Sequence, residues 1–284
     1  MSRIVYVNGE YLPEEDAKIS VFDRGFLMAD AVYEVTSVLE GRLCEYAGHA
    51  RRLKRSLDEL QMALPVSEEA LLEIHRELVR RNDLTEGVVY LQVTRGAADR
   101  DFAFPENAEP GLVLFTQEKS ILASKSAAAG LKVAVVDDLR WGRRDIKTTQ
   151  LLYPSLAKMA AKAQGCDDAW MVEDGFITEG SSNNAYIVTG DGTIVTRHLS
   201  NAILHGITRA SVLSLAEEAQ MKIEERPFTV EEAKAAREAF ITSASSFVNP
   251  VVEIDGVQLG DGAPGPAATR LREIYIENAR ANAI

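Results

Sequence analysis

Strand-like and helix-like stretches follow one another along this 284-residue chain without strict alternation, an order that favours an α+β fold over a doubly wound parallel sheet. The first stretch, VYVNGEYL, sets Asn8-Gly9 between two short β-rich runs and predicts a tight hairpin. AVYEVTSVL, Ala31 to Leu39, reads as a buried strand. From Tyr46 the period becomes helical, with Leu53, Leu57 and Leu60 at spacings of four and three. A second helix is expected to begin at Ser67, because SEEALLEIHRELVRR has a serine cap, acidic residues in its first turn and arginines in its last. Strands follow at Gly87 to Thr94 and Gly111 to Thr116.

The texture changes at EKSILASKSAAAG, residues 118–130, where small and polar residues interrupt the strand pattern. This predicts a link between two domains, a smaller one over 1–120 and a larger one over 121–284. The second half holds expected strands at Lys132–Val136, Asp168–Val172, Asn184–Val188 and Ala239–Thr242, and expected helices near Leu151–Ala163, Thr208–Gln220 and Pro266–Ala281. No internal repeat or low-complexity tract interrupts them.

Hydrophobic residues make up 46% and charged residues 26% of the chain, an ordinary globular balance able to bury a core. The formal charge of -12 repels nucleic-acid backbones and anionic membranes, so neither is an expected partner. Cys44 and Cys166 are too few for a disulfide framework and lack any zinc-site spacing, which fits a reducing compartment. The first 20 residues carry no secretory pattern, and no apolar stretch approaches the roughly 18 residues a membrane span needs. A soluble cytoplasmic protein is the expectation.

Several short patterns invite a functional reading and fail on context. GDGAPG, Gly260 to Gly265, matches the dinucleotide-binding glycine spacing but lacks the strand before it and the strand and acidic residue after it. His49, His75, His198 and His205 show no spacing that puts two metal ligands on one helix face, so no metal site is expected. Serines occur without the GxSxG elbow that raises a nucleophile above a sheet. Among the ten lysines, Lys147 differs in its surroundings. It lies in WGRRDIKTTQLLYPSLAKMAA, after an expected strand and before an expected helix, flanked by β-branched Ile146 and Thr148 in a segment held extended. A lysine in that position is often only an edge charge.

Four motifs, DRGFLMADAVYEV at 23–35, DIKTTQLL around Lys147, ITEGSSNNAYIV at 177–188 and ILHGITR at 203–209, occur in the order found in the fold-type IV pyridoxal-phosphate enzymes. The chain resembles that family, which contains D-amino-acid transaminases, branched-chain transaminases and aminodeoxychorismate lyase. Within it, VYEV followed by TRGAADRDFAFP at 94–105 is most similar to the D-amino-acid transaminases.

The resemblance implies a two-domain α+β enzyme with pyridoxal 5'-phosphate as cofactor and Lys147 as its Schiff-base and proton-transfer lysine. Glu179 matches the carboxylate facing the pyridine nitrogen; read without the resemblance, it is a turn residue beside Gly180. Arg52 matches the phosphate arginine, although its charged neighbours in GHARRLKRS also suit a solvated helix face. Ser182, Leu204, Ile207, Thr208 and Ser245 complete the implied cofactor contacts, with Ile207 and Thr208 opening a helix whose first amides suit an anion. Tyr33 and Arg100 match the residues that hold the substrate carboxylate. Phe102 stands where those relatives usually carry a histidine, and Ala29 and Ala31 stand where they often carry glycines. The resemblance further implies a homodimer with shared active sites. The expected reaction moves the amino group of a D-amino acid such as D-alanine to a 2-oxo acid such as 2-oxoglutarate or pyruvate. Transamination of a branched-chain L-amino acid or an (R)-amine, and aminodeoxychorismate-type lyase chemistry, stand as alternatives.

Overall fold

The computed structural model describes residues 2–284, and they group into two compact units. The first comprises residues up to Ser120 together with Ile146–Gln150 and Asn282–Ile284; the second comprises Ile121–Asp145 and Leu151–Ala281. The pentapeptide around Lys147, expected from sequence in the second domain, therefore packs with the first.

The first unit carries strands β1 (Ile4–Val7) and β2 (Glu10–Pro13), helix α1 (Arg24–Met28), strands β3 (Ala31–Leu39) and β4 (Arg42–Leu43), helices α2 (Tyr46–Glu59) and α3 (Glu68–Arg81), and strands β5 (Glu86–Thr94) and β6 (Gly111–Glu118). Its six strands form one antiparallel sheet in the order β2-β1-β6-β5-β3-β4. The first hairpin pairs Val7 with Glu10 across a two-residue turn. Asn8 and Gly9 both take positive φ there, 47° and 106°, the backbone that a twisted hairpin requires. Ser67 caps α3 by accepting from the Ala70 amide. Leu71, Ile74 and Leu78, spaced three and four apart, then share a core with Leu53 and Leu57 of α2 and with Val32, Val38, Val89 and Leu91 of the sheet. Alternation along β3 sends Val32, Glu34 and Thr36 to that buried side and leaves Tyr33 and Val35 half-buried on the other.

The second unit continues with α4 (Lys125–Ala129), β7 (Leu131–Asp137), α5 (Leu152–Ala163), β8 (Asp168–Glu173), β9 (Phe176–Gly180), β10 (Asn184–Val188), β11 (Ile194–Thr196), α6 (Ile207–Glu218), β12 (Ile223–Glu225), α7 (Val230–Lys234), β13 (Glu238–Ser243), β14 (Phe247–Ile254), β15 (Val257–Gln258) and α8 (Pro266–Asn282), whose last residue belongs to the first unit. Its nine-stranded sheet runs β12-β11-β10-β13-β14-β7-β8-β9, with β15 paired to β14. Strands β14, β7 and β8 are mutually parallel, as are β11 and β12, and the other pairs are antiparallel, so the sheet is mixed as an α+β fold allows. Within the segment expected to be an irregular link, Ser124 caps the short helix α4 through the Ala127 amide. Because Asn184 pairs with Thr242 and Ser243 with Phe247, the β9–β10 and β13–β14 turns lie at one end of this sheet.

Candidate active site

Lys147 sits in an extended strip laid against β3. The Tyr33 amide donates to the Lys147 carbonyl at 3.0 Å, the Thr149 amide to Ala31 at 3.1 Å, and Val32 bridges Thr148. Ile146 and Thr148 are buried on either side, which turns the Lys147 side chain away from the core. Its Nζ stands 4.1 Å from the centre of the Tyr33 ring. Tyr33 in turn stacks on Tyr90 at 5.6 Å, and Tyr90 on Phe115 at 4.7 Å, so an aromatic ladder fixes the ring beside the amine.

The residue after Tyr33 organises a buried ionic group that the sequence did not reveal. Arg52 grips the Glu34 carboxylate with both arms of its fork, Nε to Oε1 and Nη2 to Oε2, each at 2.8 Å. His49 Nδ1 meets the same carboxylate at 2.8 Å. His49 and Arg52 lie three residues apart on one face of α2, which brings both to Glu34. Burial works against ionisation of Glu34, yet the Arg52 charge and the bonds from Arg52 and His49 hold its carboxyl far below the ordinary range. Arg52 is thus not on a solvated helix face, being only 8% exposed. An acidic residue at an inward position of a β-rich strand, with arginine and histidine at helical spacing soon after, was the available signal.

Glu179 lies on β9 rather than in a turn, and it is buried. Its Oε1 accepts from Arg140 Nη1 at 2.6 Å and its Oε2 from Asn184 Nδ2 at 3.0 Å. The Leu204 amide donates to both oxygens, at 3.3 and 3.1 Å. Burial pushes the Glu179 carboxyl up, and the nearby Arg140 charge and these hydrogen bonds pull it back. Arg140 is itself anchored on Asp138, which also accepts from Thr178 Oγ1 at 2.7 Å. Arg140 and Asp138 carry no motif of their own, and Asn184, although inside the 177–188 motif, was not singled out from sequence.

Leu204 leads directly to the start of α6. The residue that caps this helix, Gly206, has no side chain to satisfy its first amides, and a Cβ there would stand 2.1 Å from Asn184 Oδ1. Thr208, one residue into the helix, is 2% exposed with its Oγ1 buried and lacking a hydrogen-bond partner. An uncapped helix N-terminus beside an unpartnered hydroxyl suits an anionic group with several acceptor oxygens. Ser182 is exposed in the β9–β10 turn and Ser245 is half-buried in the β13–β14 turn, at the same end of the sheet. Arg100 stands on an exposed loop between β5 and β6, its guanidinium carbon 5.4 Å from the Phe102 ring. Phe102 is 78% exposed. Ala29 ends α1 in a left-handed conformation, φ 54°, which accounts for glycine suiting this position. Ala31 is fully buried, and nothing in the structure explains alanine there.

Residues 31–254 match the amino-transferase class IV family, and the chain belongs to that family of pyridoxal-phosphate aminotransferases. Among characterised relatives, it is 36% identical over 277 residues to the D-alanine aminotransferase of Staphylococcus haemolyticus, spanning 96% of this chain and 98% of that one. It is 37% identical over 262 residues to the D-alanine aminotransferase of Bacillus licheniformis, spanning 92% of each. The branched-chain aminotransferase of the archaeon Thermoproteus uzoniensis, solved with norvaline, superposes with a TM-score of 0.88 at 27% identity, over 99% of this chain and 96% of that one. The branched-chain enzyme of Escherichia coli shares the fold, with a TM-score of 0.91 at 22% identity over 98% and 95%.

Proposed function

We propose that this protein transfers the amino group of a small D-amino acid to a 2-oxo acid, with Lys147 as the catalytic lysine. The observation that carries the D-specific reading is the likeness to D-alanine aminotransferases along 96% of the chain. Thr208 Oγ1, the first amides of α6 and the Gly206 approach fit the phosphate of pyridoxal phosphate, and the buried Glu179 carboxylate fits a protonated ring nitrogen. When bound, that group supplies an aldehyde to take up nitrogen and a ring that withdraws electrons.

The chain's own residues then divide the work. The Lys147 amine holds the cofactor and moves the proton at the substrate's α-carbon, which requires it to be neutral at that moment. Tyr33 packs against that amine and contributes to the carboxylate pocket with Arg100. Arg52, gripped by Glu34, and Ser182, Leu204, Ile207 and Ser245 complete the cofactor's surroundings. The working form is a homodimer in the cytoplasm. The match to relatives named D-alanine aminotransferases supports the reaction, and no helix among the described residues is long and apolar enough to cross a membrane.

The test is a panel of D- and L-amino acids, each paired with 2-oxoglutarate. Turnover of small D-amino acids, lost in Lys147→Ala, is the expected result. Turnover confined to L-leucine and its like would replace this reading with the branched-chain one.

A further inference from the structure

The loop that carries Arg100 has no strand or helix of its own, yet a buried knot of charge holds it. Arg24, in α1, is 2% exposed. Its Nη1 donates to the Asp101 carbonyl at 2.6 Å and, at 3.4 Å, to that of Ala103, bracketing Phe102. Its Nε reaches Asp30 Oδ2 at 2.7 Å, the same oxygen that Arg95 Nε holds at 2.7 Å. Arg95 is fixed from behind by the Leu60 carbonyl at 2.9 Å. The Phe104 ring closes the knot, with the Arg95 guanidinium 3.6 Å and the Arg24 guanidinium 6.0 Å from its centre.

The base of the loop is locked by the same element. The Arg24 amide donates to Gly96 at 2.9 Å and the Ala98 amide to Phe22 at 3.2 Å. Gly96, at φ 99°, lets the two ends of the loop meet, since a Cβ there would lie 2.0 Å from the Glu109 carbonyl oxygen. A charged buried fork spent on loop carbonyls one residue and three residues beyond Arg100 fixes backbone that would otherwise sample many conformations.

We propose that Arg24 is a positioning residue for substrate recognition: by pinning Asp101 and Ala103 it sets the direction in which Arg100 presents its guanidinium to the substrate carboxylate. This rests on the assignment of Arg100 made above. Phe102, mostly solvent-exposed between the two pinned carbonyls, contributes no polar group of its own to that task, so the orientation of Arg100 depends on the backbone that Arg24 holds.

The test uses the holoenzyme and a double-mutant cycle with D-alanine as donor. Arg24→Gln is expected to raise KM about tenfold with kcat and the cofactor absorption band little changed, because a misaimed carboxylate partner weakens substrate binding and leaves the cofactor in place. In an Arg100→Ala background the same substitution is expected to add nothing to KM, since its effect runs through Arg100. An additive rise, or an unchanged KM in Arg24→Gln beside a raised one in Arg100→Ala, overturns the proposal and leaves the Arg100 assignment standing. An unchanged KM in Arg100→Ala removes that assignment and this proposal with it. Should Arg24→Gln fail to fold, Phe104→Leu takes its place in the same cycle, with a rise of about threefold expected and no rise counting against the proposal.

Discussion

His75 sets a pH dependence through its surroundings. It is 2% exposed, donates Nδ1–H to the Leu71 carbonyl at 2.8 Å and meets the Tyr46 ring edge-on. Burial, only partly offset by that bond, pushes its imidazole down to about 4. An unfolded histidine takes its proton at about 6.5. Between those values the unfolded chain binds more protons than the native one, so stability falls as pH drops through this window and is fully retained above it. The shift corresponds to about 3 kcal/mol. Urea midpoints measured from pH 7 to pH 4 are expected to fall, and His75→Gln is expected to flatten the decline. Glu34 is a carboxyl with a depressed value, so its stabilisation is fully present above the ordinary glutamate range and is lost progressively as pH falls below that range toward the depressed value.

At the scale of an element, two helix starts that look alike in sequence differ in what fills them. The glycine-rich run before α8 leads to a helix whose first amides, at Ala267 and Ala268, donate to Glu238 Oε2 at 2.9 and 3.2 Å. An internal carboxylate therefore occupies that N-terminus. The start of α6 has no such partner, and it keeps Thr208 Oγ1 free. Thr208→Val is expected to lower affinity for pyridoxal phosphate about tenfold, the loss of one hydrogen bond to a charged group. Thermal stability of the protein without cofactor is expected to hold or rise, because a buried unsatisfied hydroxyl has been removed. Equilibrium titration and melting of the same variant measure the two effects, and weaker binding with lower stability would make Thr208 merely structural.

At the scale of the whole molecule, the chain leaves its first unit at Ser120 and returns to it for Ile146–Gln150. Ile146 is 4% exposed within the first core, and the strip hydrogen-bonds to Ala31 and Tyr33. A fragment ending at Ser120 is expected to unfold without a sharp urea transition. It lacks about 2 kcal/mol of burial from Ile146 alone, besides the bonds to β3, out of a stability of only several kcal/mol. Most elements were legible because they follow from local periodicity and capping: the Asn8-Gly9 hairpin, the stripe of α3 and its Ser67 cap, and β3 each depend on residues close in sequence. Strands β9 and β14 were not, since Phe176–Gly180 is short and Phe247–Ile254 contains Pro250, and both gain their pairing from distant strands. Among the proposed site residues, those in contiguous motifs follow from motif order alone. Arg140 with Glu179, and Arg24 with the Arg100 loop, could not be paired in this way, because groups 39 or 77 residues from their partners leave no local pattern. Sequence by itself determined the family and most of the elements, and it singled out the lysine proposed as catalytic, through short-range backbone preference and motif order. Tertiary structure alone decided which charges are buried together, since desolvation and ion pairing depend on distances that only the folded chain sets.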